Sequence, residues 1–341
     1  MAVIDADAHV IENEHTWDFL EESELRFRPV TVTQTNPADA RKEYWLVDGT
    51  LAGRRFNVGS DTPPESRELT NVNARLEHMD RLGVDLQVLF PSIFLQPLTI
   101  RPEVERAICR SYNRWLAEIW SQGRGRLRWA AVLPLMTISE ALAELRFAHD
   151  NGACAVYVHS VEVDKRLDSP YFYPLYREAS RLNTPIAVHA STGNQAHFDL
   201  YAGDSGFSTF KLPVIGAFHA IVYSDIPGLF PELRFGFIEV GAQWVPYATR
   251  DLARRFGRQK REMKADLFKT DRLYVACQSD DDVPYLVQCM GEDNLLIGSD
   301  YGHADTASEL AALDNLRKVH GLEPRVSDKI LDANARAFYG L

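Results

Sequence analysis

The sequence predicts an α/β fold closed into a (β/α)8 TIM barrel, and three observations predict it. Eight short apolar or β-branched runs lie at residues 2–9, 85–91, 129–134, 153–159, 185–190, 234–240, 272–277 and 294–299, alternating mostly with segments of helical periodicity. Strands that alternate with helices make βαβ units and a parallel sheet, and eight of them are enough to close one. Several runs finish in side chains able to bind a metal: Asp5-Ala-Asp7-Ala-His9, Ala-Val-His189, Phe-Ile-Glu239 and Ile-Gly-Ser-Asp300-Tyr-Gly-His303. A parallel barrel gathers such residues at the C-terminal mouths of its strands, where that fold builds its active sites. The chain has no GxGxxG or P-loop turn of the kind that would support a nucleotide role on an open sheet.

Each element has its own signal. Pro102 opens a helix that carries Ala107, Ile108, Tyr112, Trp115 and Ile119 at helical spacing. Thr137 stands as the N-cap of a helix running through Ala148, with Gly152 beyond its end. Tyr173 to Leu182 and Val245 to Phe256 make two more, and Thr306-Ala-Ser-Glu309 has capping-box spacing before a further apolar-periodic stretch. Two insertions break the regular spacing. Residues 10–75 contain Tyr-Trp-Leu-Val-Asp48-Gly49-Thr-Leu, a hairpin pattern with Asp-Gly as its turn, and residues 191–217 are rich in Gly, Ser and aromatics. Both leave from strand C-termini, so they are expected to form a lid over the site within one domain spanning 1–341.

Composition narrows the function classes. With 45% hydrophobic residues, 17 Phe, 13 Tyr and 6 Trp, the chain can bury a large core. A net charge of −11 with no run of Lys or Arg argues against nucleic acid or an anionic membrane as partner. No apolar run approaches the length of a membrane span, and no basic and apolar leader precedes the first strand, so a cytoplasmic location is expected. Cys109, Cys154, Cys277 and Cys289 lack CxxC spacing and read as reduced thiols.

Asp7 and His9 are two apart on a strand and share a face. Polar groups pointing into a barrel are costly unless paired or metal-bound, which also marks His189 and Glu239 at the ends of clean apolar strands. Asp5 has the same parity one step deeper and is suited to orient a ligand. Asp300 ends the eighth strand, and His303 reaches the same place if the chain curls. His219 lies in a helical-looking apolar stretch, where a packed core histidine is the equal alternative. His159, Phe198, Phe207 and Phe210 are candidates to touch substrate, with Arg54 and Arg55 as anchors for a carboxylate or phosphate. His78, His149 and His320 read as surface residues, and Glu12, His15 and His197 lie in loops that the pattern does not place.

Asp7-x-His9, Val-His189, Asp300-Tyr and the C-terminal Ile-Leu-Asp-Ala-Asn334-Ala-Arg-Ala-Phe-Tyr-Gly-Leu together resemble the amidohydrolase-related family. The branch in question contains aminocarboxymuconate semialdehyde decarboxylase and the resorcylate-type decarboxylases. The resemblance covers Ile4 to Leu341 and implies a TIM barrel with Asp7, His9, His189 and Asp300 as ligands of a divalent metal. Those decarboxylases carry a catalytic His where this chain has Glu239. Together with His219 and His303, that departure resembles a sub-branch that binds two iron or manganese ions and hydroxylates substrates with O2.

Donor counting points the same way. Asp7, His9, His189, His219, Glu239, Asp300 and His303 are too many for one catalytic ion and suit two. The mixed carboxylate and imidazole set accepts Fe or Mn, with Zn as an alternative. The leading expectation is therefore a dinuclear Fe/Mn monooxygenase. It would hydroxylate a small or apolar organic acid or its thioester, using O2 and an electron donor, with Glu239, His303 and His219 as catalytic groups. The alternatives are a metal-dependent hydrolase and a non-oxidative decarboxylase. A homodimer is implied only by the resemblance.

Overall fold

The computed structural model describes residues 1–34, 42–55 and 57–341. Its central feature is an eight-stranded sheet in strict sequence order: β1 (Ile4–His9), β2 (Leu86–Phe90), β3 (Leu127–Val132), β4 (Ala153–Val158), β5 (Ile186–His189), β6 (Phe235–Ile238), β7 (Leu273–Cys277) and β8 (Leu295–Ile297). Every neighbouring pair is parallel. All eight expected strands are present; seven are trimmed by a residue or more, and β3 is shifted two residues toward the N-terminus of the expected run. The sheet closes into a barrel at its mouth, where Ala8 bridges in parallel to Tyr301. The His9 amide donates to the Tyr301 carbonyl at 2.8 Å, and the Asp300 amide to the Asp7 carbonyl at 3.0 Å. Only glycine fits at 298 in this seam, because a Cβ there would stand 2.3 Å from that of Asp7.

The barrel strands are buried along almost their whole length, as parallel strands covered by helices must be. The helices that follow them include α1 (Val72–Leu82), α2 (Pro102–Gln122), α3 (Ile138–Asp150), α4 (Tyr173–Arg181), α5 (Leu212–Tyr223), α6 (Val245–Arg258) and α7 (Val283–Met290). The α1 helix starts where the Asn71 side chain accepts from the Ala74 amide and stops at Gly83, whose φ is +66°. On α2 the expected apolar stripe of Ala107, Ile108, Tyr112, Trp115 and Ile119 is buried against the sheet. Thr137 occupies the N-cap of α3, although its side chain makes no capping bond.

The expected helix start at Thr306 is not there: the chain is irregular until Ala312–Leu316. Glu309 accepts from Asn315 at 2.6 Å and from the Ser279 hydroxyl, so its carboxylate is not free to cap a backbone. His78 is a correction of another kind. It is buried at 7% exposure, with Nδ1 2.6 Å from the Tyr301 hydroxyl, because its face of α1 turns toward the barrel seam.

The insertion after β1 folds as expected around Asp48-Gly49. Lys42–Val47 and Thr50–Arg54 form the hairpin, Val30–Gln34 adds a third antiparallel strand, and both turn residues have positive φ. Its residues 35–41 and 56 lie outside the described residues. Among the described residues no helix is long and apolar enough to cross a membrane.

Candidate metal centre

At the mouth of the barrel, six of the seven expected donors converge. Two groups of potential ligands form, Asp7, His9, His189 and Glu239, and His9, Glu239, Asp300 and His303, each with donor atoms within 4.8 Å of one another. Asp7 and His9 come from β1 and His189 ends β5, while Glu239 directly follows β6. Glu239 and Asp300 both sit in the left-handed region, at φ of 66° and 50°. Non-glycine residues in that region carry local strain, which concentrates at functional sites. Here it turns the two carboxylates inward just where their strands end.

The distances describe a crowded basin of carboxylates and imidazoles. The Nε2 of His9 lies 3.5 Å from carboxylate oxygens of Asp7, Glu239 and Asp300 alike. The Nε2 of His189 lies 3.4 Å from Asp7 and 3.1 Å from Glu239. Asp7 Oδ1, His9 Nε2, both ring nitrogens of His189 and Glu239 Oε2 are buried with no hydrogen-bond partner among the described residues. Orphaned polar atoms cost about 1–3 kcal/mol each, so four of them gathered around one basin, Asp7 Oδ1, His9 Nε2, His189 Nε2 and Glu239 Oε2, fit a bound cation. The His9 Nδ1 donates to the Pro91 carbonyl at 2.9 Å, which leaves Nε2 as the lone-pair nitrogen facing the basin. Phe90 wedges the imidazoles in place, its ring centroid 5.0 Å from that of His189 and 6.1 Å from that of His9.

The protonation behaviour follows from the crowding. Burial, and then the nearby charges of Asp300 and Asp7, push the Glu239 carboxyl well above its ordinary value. Burial also pushes Asp7 upward, but His189 and His9 outweigh it and hold that carboxyl below the usual range. Burial depresses His189. Without a cation the Glu239 anion is disfavoured beside the neighbouring carboxylates, and a divalent ion would remove that conflict.

His303 differs from the other donors. Its Nδ1 lies 2.8 Å from Asp300 Oδ1, and its Nε2 lies 2.7 Å from the Ser92 hydroxyl. That hydroxyl donates to the Val10 carbonyl at 2.6 Å and so receives the Nε2–H of His303. Both ring nitrogens are therefore engaged by hydrogen bonds. Behind the ligands, Asp5 accepts from the Ser299 amide at 2.8 Å, its hydroxyl at 2.6 Å and Gln87 at 3.0 Å, which fits its expected orienting role. Burial pushes its carboxyl up to about 6.

His219 is not brought to the site. It faces away from the barrel on α5, and its Nε2 pairs with Asp251 of α6 at 3.0 Å. Its neighbour Phe218 takes the inward direction, 4.9 Å from Trp244 and 5.2 Å from Phe237. We expect His219→Ala to leave the metal content of the purified protein unchanged by elemental analysis. Loss of an ion would return His219 to the ligand set.

A cavity of about 300 Å³ opens over the basin. Glu239, His303, Asp305, Glu12 and Ser92 line its floor side, and Trp45, Arg54, Arg55, Leu95 and Phe210 line the rest. Both insertions thus contribute to its wall. Of the expected substrate contacts Phe210, Arg54 and Arg55 line this cavity. Phe198 sits with its ring 6.4 Å from that of Phe210, and Phe207 is 53% exposed. His159 is engaged elsewhere, between the Phe94 carbonyl at 2.7 Å and Glu162 at 2.9 Å, beside a separate small cavity. Cys277 is buried, its thiol donating to the Leu296 carbonyl.

Sequence reasoning missed Ser92 and left Glu12 unplaced, whereas Arg54, expected to anchor a carboxylate or phosphate, does line the cavity. The Glu12 carboxyl accepts from the Ser92 and Ile93 amides at 2.9 and 3.0 Å, and burial pushes it up to about 7. Arg54 lies 4.6 Å over the Trp45 ring, and its buried Nε–H has no hydrogen-bond partner among the described residues.

The fold and the chain have relatives. An amidohydrolase from Mycobacterium avium subsp. paratuberculosis K-10 superposes with a TM-score of 0.80 at 19% identity, over 99% of each chain. A 5-carboxyvanillate decarboxylase from Novosphingobium aromaticivorans, solved with manganese and 4-hydroxy-3-methoxy-5-nitrobenzoic acid, gives 0.66 at 21% identity over 78% of this chain and 79% of that one. In sequence, the 2-amino-3-carboxymuconate-6-semialdehyde decarboxylase of Dictyostelium discoideum is 20% identical over 285 residues, 79% of this chain and 76% of its own. The amidohydrolase family model matches residues 4–341, from the first barrel strand to the last residue, and the chain belongs to that family.

Proposed function

We propose that this protein is a metal-dependent decarboxylase that releases carbon dioxide from a small aromatic or unsaturated carboxylic acid without consuming oxygen. The observation that carries the reading is the basin of orphaned carboxylate and imidazole atoms at the floor of a cavity walled by aromatic residues and arginine. Decarboxylases among the relatives, one of them solved with manganese and a nitrobenzoic acid, support the same chemistry. Asp7, His9, His189 and Asp300 would hold a divalent ion. When bound, that ion supplies positive charge that orients an anionic substrate and draws electron density from the bond to be broken.

The chain's own groups supply the rest. Arg54, stacked on Trp45 at the cavity wall, would take a substrate carboxylate, and Phe210 would pack against a flat ring. Decarboxylation breaks the bond to the carboxylate carbon and leaves its electron pair on the substrate, where a proton must replace the lost group. His303 holds such a proton at Nε2, with Asp300 fixing the ring from the other side. Glu239 stands where the resembling decarboxylases have His. A carboxyl group there can also carry a proton, so the substitution changes the donor without removing it.

A second reading, the dinuclear monooxygenase, draws on one specific observation: the donors fall into two overlapping groups that share Glu239. A carboxylate can serve two ions at once, whereas His9 can serve only one. That enzyme would need O2 and an outside electron donor. The test is direct. Protein reconstituted with Mn(II), Zn(II) or Fe(II) under nitrogen is expected to bind close to one ion per chain and to release carbon dioxide from hydroxybenzoates or carboxymuconate-type acids. Two ions per chain, no carbon dioxide, and substrate-dependent O2 uptake by the ferrous protein would overturn the decarboxylase reading in favour of the oxygenase.

A further inference from the structure

Arg75 lies in the middle of α1 and is fully buried, yet among the described residues no carboxylate stands within ion-pair distance of it. A buried guanidinium without a counter-charge is costly, which makes its contacts informative. Its Nη1 donates to the carbonyl of His9 at 3.2 Å and to that of Ser66 at 3.4 Å. The flat face lies 3.7 Å over the ring of Tyr301, the residue after Asp300. Its Nε donates to Gln87 at 2.6 Å; Gln87 in turn donates to Asp5 at 3.0 Å, and Asp5 receives both the amide and the hydroxyl of Ser299, the residue before Asp300. Both routes end on the flanks of Asp300, and one begins on the carbonyl of His9.

The seam these contacts span needs outside support. The β8 strand has three residues, and its link to β1 at the mouth is a single bridge at Ala8 and Tyr301. Asp300 is also held at positive φ there. Few main-chain bonds therefore fix how far Asp300 stands from Asp7 and His9. A planar fork that grips a carbonyl with one edge and a ring with its face can set that spacing, and a lysine cannot reproduce both contacts.

We propose that Arg75 is a positioning residue for the metal centre, holding the end of the first strand and the turn around Asp300 in the register that lets Asp7, His9 and Asp300 face one ion. This rests on the reading of the basin as a metal site. The experiment compares apo wild type with Arg75→Lys, Gln87→Leu and Tyr301→Leu, measuring Mn(II) affinity by chelator competition, the Mn(II) electron paramagnetic resonance line shape, and apo-protein thermal unfolding. Support contacts of this type typically tune metal affinity by about 10- to 100-fold. Arg75→Lys is expected to stay folded while losing affinity on that scale, with a changed line shape, and Gln87→Leu and Tyr301→Leu to move in the same direction. Unchanged affinity and line shape in folded variants that merely unfold at lower temperature would overturn the proposal and leave Arg75 a packing residue. If Arg75→Lys fails to fold, the other two variants decide by the same criterion. Wild type that takes up no Mn(II), Co(II) or Zn(II) overturns the metalloenzyme reading itself, and this inference with it.

Discussion

Replacing His189 by Ala should abolish metal uptake and lower turnover on the order of 10³-fold or more. The imidazole is fully buried at the end of β5, with both nitrogens unpartnered and its Nε2 between Asp7 and Glu239. Its loss takes away the nitrogen donor opposite His9 and leaves a gap beside Phe90 and Tyr157, whose rings stand 5.0 and 5.7 Å away. Charge stabilisation by a bound ion is worth several kcal/mol in a reaction barrier, and about 1.4 kcal/mol is tenfold in rate. The same change separates binding from folding. An ion present at a hundred times its dissociation constant stabilises the native state by about 2.7 kcal/mol. Added Mn(II) should therefore raise the unfolding temperature of wild type and leave that of His189→Ala where it was. An equal rise in both would remove His189 from the ligand set.

Much of this centre was legible in the sequence because the barrel writes it in a simple form. Each candidate donor terminates or closely follows an apolar run, where a charged or imidazole side chain has no solvated face to occupy. Asp7, His9, His189, Glu239, Asp300 and His303 all converge at the mouth. His219 broke the rule because its neighbours are apolar on a helix rather than a strand. One step round α5 separates the inward Phe218 from a residue that meets α6, and the run alone does not say which of the two points in. Phe198 and Phe207 were chosen by composition, and only Phe210 among the three lines the cavity.

Glu12, Ser92 and Arg75 were not placed by the sequence for a different reason. Their placement depends on how the insertion after β1 folds back over the mouth and on which face of α1 meets the seam. Contacts as distant in sequence as Ser92 with His303 leave no periodic trace. His78 shows the same limit, since its polar neighbours on α1 suggested solvent while its own direction leads to Tyr301. The capping-box spacing at Thr306 and Glu309 failed because a tertiary partner, Asn315, claimed the carboxylate that a local motif would have used.

His303 decides between one ion and two, and its substitution by Asn is expected to keep the metal and lose the chemistry. In the structure the ring bridges Asp300 and Ser92 through its two nitrogens and lies tilted against His9 at a centroid distance of 4.0 Å. On the proposed reading, a side chain engaged this way would carry a proton without taking a place on an ion. A positioned proton donor contributes about 10²- to 10⁴-fold to a rate, so kcat should fall within that range while KM and metal content stay near wild type. Asn retains a short polar group beside Ser92, which limits the disturbance to the floor of the cavity. Elemental analysis and single-turnover carbon dioxide release on the same preparation read both quantities. If instead the bound metal drops from two ions to one and the rate of O2 uptake collapses with it, His303 is a ligand. The overlapping donor groups would then describe a dinuclear centre.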